Sequence, residues 1–137
     1  MKNLRSILAA LAVLLMATAA HAQLTKVAAT VPFNFVVGDR AYPAGDYSFR
    51  NNGSVLEITN AEQATTQVIL SQACERVTPS LDTKLVFHSM GGYYFLRQIW
   101  VAGNSLGREL PRSHTQAQLA QNHVKSESVI VAANIWQ

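Results

Sequence analysis

The stretch from Lys26 to Phe49, KVAATVPFNFVVGDRAYPAGDYSF, limits what this chain can become more than any other, because it combines the clearest two-residue hydrophobic period with the clearest turn chemistry. Val27, Ala29, Val31, Phe33, Phe35 and Val37 fall on one face and Ala28, Thr30, Pro32 and Asn34 on the other, as alternate residues of a β-strand must. Burying one Val or Phe side chain stabilises by roughly 1.5–3 kcal/mol, so the large residues of this face together supply about 10 kcal/mol, the scale of a domain's whole net stability. A one-residue slip of register would forfeit most of it. The period predicts a long strand feeding a hairpin, with Gly38-Asp39 and Pro43-Ala44-Gly45 as turn signals.

The chain continues in the same idiom. Tyr47 and Phe49 alternate ahead of Asn51-Asn52-Gly53, a tight-hairpin cue that calls for a partner strand, and Leu56 and Ile58 supply one over Ser54 to Thr59. After a polar turn, Thr65 to Cys74 offers Val68, Leu70 and Cys74 as another strand; Glu75 to Asp82, ERVTPSLD, has a proline and no period and reads as a loop. Lys84 to Met90 and Tyr93 to Val101 flank Gly91-Gly92, and a two-residue loop there sets Met90 opposite Tyr93, His88 opposite Phe95 and Val86 opposite Arg97. Leu85, Phe87, Tyr94, Leu96 and Trp100 then share one face, and Val86, His88, Met90, Tyr93, Phe95, Arg97 and Ile99 the other. Both faces are largely apolar, as in strands covered on two sides. Ser113 with Gln116 three residues on forms a capping-box pattern opening a polar surface helix from about His114 to Ser126. Ser128 to Trp136 alternates again, with Val129, Val131, Ala133 and Ile135 on one side, as a closing strand. The predicted fold is all-β: an antiparallel sandwich or flattened barrel of about seven or eight strands with one C-terminal surface helix.

Met1 to Ala22 carries Lys2 and Arg5, then an apolar run from Ile7 to Ala20, then Ala20-His21-Ala22 as a small-x-small cleavage site, the pattern of a secretory signal peptide. The run is shorter than the roughly 20 residues of a spanning helix, so no membrane span is expected once it is removed. Cleavage after residue 22 leaves 23–137 as one β-rich domain, secreted or periplasmic. Without Lys2 and Arg5 the eleven Lys and Arg fall to nine, against eight acidic residues. So even a balance, with no basic run, argues against nucleic acid as a partner. Cys74 is the only cysteine and cannot form an internal disulfide; it reads as a buried inert thiol, with an intermolecular bridge as the other option.

Two blocks, VPFNFVVGDRAYPAGDY at Val31 to Tyr47 and YYFLRQIWVAGNSLGRELPRS at Tyr93 to Ser113, resemble a family of small secreted bacterial proteins known only as hypothetical. The motif residues are turn and core positions: Gly38, Pro43, Gly45, Tyr47, Trp100 and Gly107. The resemblance implies a secreted β-rich protein and brings no activity, cofactor or ligand with it.

Chemistry-bearing motifs are few. Gly103-Asn104-Ser105-Leu106-Gly107 matches the G-x-S-x-G nucleophile elbow, with Glu109 and then His114 or His123 following in hydrolase order. That elbow needs a parallel sheet and a helix where Pro111 stands, so a small serine hydrolase using Ser105 is an alternative only. His114 and His123 are nine positions apart, on opposite sides of a helix, and His88 lies mid-strand, so no metal is expected. With no Cys-x-x-Cys, paired acids or phosphate-cradling glycine loop, no cofactor is expected either. Tyr42, Tyr47, Tyr93 and Trp136 would suit a carbohydrate-binding module, but their positions suit core packing better. The leading expectation is a non-catalytic binding or structural domain of the cell envelope or extracellular space. Its candidate interface is the second face of the Gly91-Gly92 hairpin, with His88, Tyr93, Phe95 and Arg97 meeting a protein partner or a second copy. Otherwise Ser113 to Ser126 or the ERVTPSLD loop covers that face.

Overall fold

The structure, a computed structural model, describes residue 3 and residues 25–136; the predicted signal segment and its cleavage site lie outside the described residues, Asn3 apart. Two sheets, antiparallel but for one short pairing, face each other over one core and do not close into a barrel, so the fold is an all-β sandwich with one helix in residues 25–136. The first sheet orders its strands β12, β1, β4, β5, β6, where β1 is Lys26–Val31, β4 Gly45–Asn52, β5 Val55–Asn60, β6 Thr65–Leu70 and β12 Asn134–Trp136. The second orders β11, β8, β9, β10, β7, where β7 is Gln72–Glu75, β8 Lys84–Met90, β9 Tyr93–Trp100, β10 Leu106–Glu109 and β11 Glu127–Ala132. The short hairpin of β2 (Phe35–Val37) and β3 (Arg40–Tyr42) joins this second sheet through a parallel pairing of Val36 with Phe95.

The described residues hold twelve strands rather than seven or eight, and the reason is physical. Three segments that read as continuous strands change sheets partway. The Lys26–Val37 run breaks at Pro32–Asn34, the 65–75 run at Ser71, and the C-terminal run at Ala133. At the first joint the two-residue period of Val31, Phe33, Phe35 and Val37 survives, because both sheets bury one face against the same core. A fourth crossing, from β3 to β4, uses the predicted Pro43-Ala44-Gly45 turn. β3 and β10 are the other two additions, in stretches whose composition signals turns.

The core confirms the inward assignment of Val27, Ala29, Val31, Phe35 and Val37, all buried, and adds Tyr47, Phe49, Leu56, Ile58, Leu85, Phe87, Leu96, Ile99 and Leu110. Phe33, at the first joint, is only partly buried and stacks on Tyr94 with ring centres 4.0 Å apart. The Gly91-Gly92 turn closes the hairpin of β8 and β9 as predicted, with Met90 opposite Tyr93 and His88 opposite Phe95. Beyond Phe87 the register shifts: Val86 faces Gln98, not Arg97, which becomes the extra residue of a β-bulge. The residues of β9 after the bulge therefore exchange faces relative to the expectation. Ile99 enters the inter-sheet core, and Trp100 turns away and packs on Gly107.

The predicted helix is α1, His114–Gln121, shorter than expected because Asn122 caps it and His123 takes a φ of 57°. Ser113 accepts a hydrogen bond from the Gln116 amide at 2.9 Å, the first arm of the capping box, while the buried Gln116 Oε1 finds no partner among the described residues. No helix among the described residues is long and apolar enough to cross a membrane.

Candidate peptide-binding edge

β6 ends the first sheet, and its position decides what its side chains do. Val68 and Leu70, whose spacing predicts the strand, are 65% and 70% exposed. Their neighbours Gln67 and Ile69 point inward, opposite Ile58 and Leu56. The backbone is equally lopsided. Ser71 donates its N–H to Ser54 C=O at 2.8 Å, which places the bonded pairs of the β5–β6 ladder at Ser71, Ile69, Gln67 and Thr65. Thr66, Val68 and Leu70 therefore turn their N–H and C=O groups to the open edge.

Facing that edge is the chain from Glu109 to Arg112, and the two enclose a groove of 670 Å³ lined by Val68, Leu70, Arg97, Leu110, Pro111 and Arg112 among others. The wall is firmly built. Leu110 is buried in the core and donates its N–H to Arg97 C=O at 2.8 Å, while the Arg97 guanidinium returns a bond to Leu110 C=O and pairs with Glu109 at 3.3 Å. The tip of the β2–β3 hairpin holds the wall to β6: a Cβ on Gly38 would stand 3.0 Å from Ile69 Cδ1 and 4.0 Å from Pro111 Cγ. Asp39 beside it accepts from the His114 N–H at 2.7 Å, anchoring α1 as well. Midway along β6 Arg40 donates to Gln67 Oε1; just past its end, Arg108 makes three bonds to Ser71, its Nε and Nη2 at 3.0 and 2.9 Å from Oγ and Nη2 at 2.6 Å from the carbonyl.

Of the predicted interface residues, Arg97 contributes to this groove. It is only 8% exposed, and burial lowers its pKa, with Glu109 opposing and Arg112 adding to the effect. His88 is half-buried nearby; its pKa is lowered by burial first, then by Arg97 and Arg112. Phe95 is buried, and Tyr93, 47% exposed, stacks against it at 5.7 Å, so these four residues do not form one exposed patch. Of the Ser113 to Ser126 segment, Leu119 lies over Gly91 of this hairpin, and Leu110 and Glu109, ahead of that segment, contact Arg97.

The other candidates are dispersed. Ser105 sits in a loop whose backbone bonds to Arg76 and whose neighbours bond to Ser80, and a strand, β10, follows it where an elbow needs a helix. Tyr47 is buried with its hydroxyl donating to Pro43 C=O at 2.6 Å, and the half-buried Tyr42 stacks on Phe35 at 5.3 Å. Neither offers a sugar a flat exposed ring. Cys74 is free and half-buried, its thiol pKa raised by burial and then by Glu109, a poor nucleophile's setting. Among the described residues no group of three or more His, Cys, Asp or Glu is arranged to hold a metal ion. The residues missed from sequence were Val68, Leu70 and Arg112; the available signal was that TTQVIL carries no charge and no proline, the devices that protect an edge strand. Compared with models of protein families, with curated proteins and with solved structures, the chain matches none.

Proposed function

We propose that this chain is an exported, non-catalytic binding domain that recognises an extended polypeptide by adding it as a further strand along β6. The observation that carries the reading is the open edge: Thr66, Val68 and Leu70 turn their backbone groups outward, the last two with exposed apolar side chains, beside a groove with a hydrogen-bonded opposite wall. Strand addition needs those parts, since main-chain bonds provide affinity and alternate side-chain contacts provide selectivity. Export is supported by the tripartite pattern of Met1 to Ala22 and by the resemblance to small secreted proteins.

The test is selection of a displayed library of random twelve-residue peptides against the immobilised protein, followed by amide hydrogen exchange with a selected peptide bound. Slowed exchange at Thr66, Val68 and Leu70, with binding abolished by Val68→Pro at an unchanged circular dichroism spectrum, is expected. Selected peptides that leave those three amides unprotected would sink the reading.

A further inference from the structure

The chemistry of the groove specifies its occupant more narrowly. Among the described residues the ion pairs are Arg50 with Glu57, Arg97 with Glu109, His114 with Asp39 and Lys125 with Glu127. None engages Arg40, Arg108 or Arg112. Arg40 is held midway along β6 by Gln67 and Arg108 just past its end by Ser71, both neutral acceptors, and Arg112 lines the groove beside Arg97. Residues 25–136 carry nine basic against eight acidic side chains, yet Arg40, Arg97, Arg108 and Arg112 stand along this one edge with Glu109 and Asp39, while Glu57, across from Val68, is already paired with Arg50. The imbalance is local.

We infer that the occupant is an acidic strand: an extended polypeptide with apolar residues flanking an aspartate or glutamate whose carboxylate meets Arg112 and Arg97. This rests on the strand-addition reading above and fixes the order of residues within it. A residue paired with Val68 or Leu70 shares their outward face and meets exposed apolar surface. The residue between them, opposite Ile69, points inward, toward the wall of Leu110, Pro111 and Arg112. There a carboxylate would separate two guanidiniums that otherwise repel, with Arg97 desolvated and in part compensated by Glu109. A second copy fits less well. Its β6, TTQVIL, contains no acid to present.

The experiment uses three acetylated and amidated nine-residue peptides that differ only at the central position, with Thr-Val-Glu-Val-Thr, Thr-Val-Gln-Val-Thr or Thr-Val-Lys-Val-Thr as the middle five residues and two serines on either side, titrated by calorimetry at 50 mM salt. The Glu peptide is expected to bind about tenfold tighter than the Gln peptide, with the Lys peptide weakest. Arg112→Gln, at an exposed position, should erase the Glu preference, so that the Glu and Gln peptides bind this variant alike. Equal binding of Glu and Gln peptides, still lost on Val68→Pro, would overturn the acidic-strand inference while leaving strand addition standing. Binding by none of the three, with random-library peptides protecting the β6 amides, would overturn the residue order in the same way; no protection by any peptide removes both readings. Concentration-dependent dimerisation that Val68→Pro abolishes would instead make the second copy the occupant and overturn the inference.

Discussion

Gly107 lies under the Trp100 indole so closely that a Cβ there would stand 2.6 Å from Cε3 and 2.8 Å from Cδ2 and Cζ3. Its backbone is ordinary, so the demand for glycine is one of space. Gly107→Ala is expected to cost about 1–3 kcal/mol, the usual penalty of overpacking, measured as a lowered midpoint of thermal unfolding. His88 provides a second test at this scale. Its folded pKa lies below the ordinary 6.5 because burial and then Arg97 and Arg112 disfavour the charged ring, with Glu109 pulling the other way. The unfolded chain therefore binds the proton more readily, so this stabilisation is complete above 6.5 and is lost as pH falls through the lowered folded pKa. Denaturant unfolding between neutral and acidic pH should show a weaker pH slope in His88→Gln; an unchanged slope would assign the effect to other groups. Residue identity made some of this visible in advance. Arg97 and His88 were conspicuous as polar residues in an apolar hairpin, but nothing in the sequence marks Arg97 as the bulged position, so the exchange of Ile99 and Trp100 between faces was not legible.

Among the elements, β6 shows why half-buried strands are easy to find and hard to place. Alternation in Thr65–Leu70 gives a strand, but it does not say which of its two faces is inward, and it is Gln67 and Ile69, not Val68 and Leu70, that turn to the core. Whether a strand is central or at an edge depends on pairings with segments remote in sequence, and that information is not local. The three sheet-crossing joints were hidden for a related reason, since a side-chain period of two is the same on either side of the sandwich. Turn chemistry, being local, was read correctly at Gly53, at Gly91-Gly92 and at the Ser113 cap. Because Val68 and Leu70 are exposed, Val68→Lys combined with Leu70→Lys should change unfolding free energy by no more than about 0.5 kcal/mol each while suppressing peptide binding. Denaturant titration beside peptide calorimetry separates the two effects. A loss of stability of several kcal/mol would mean that β6 is covered in the folded protein.

For the whole molecule, the pairing of Lys26 with Trp136 brings the first and last strands of the described chain side by side, and the core cannot close until such distant partners meet. Non-local pairing of this kind slows folding, so refolding from denaturant is expected in milliseconds to seconds, followed by tryptophan fluorescence in stopped flow. A phase completed within tens of microseconds would contradict it. The same arrangement has a mechanical side. β1 and β12 run antiparallel with Lys26 across from Trp136, so a force applied at residues 26 and 136 acts across the ladder rather than along it. The hydrogen bonds then carry the load one at a time, starting at that corner, and β12 peels away as a zipper opens. The interior of the sandwich, stitched by four crossings between its sheets, is not loaded until the zipper has run.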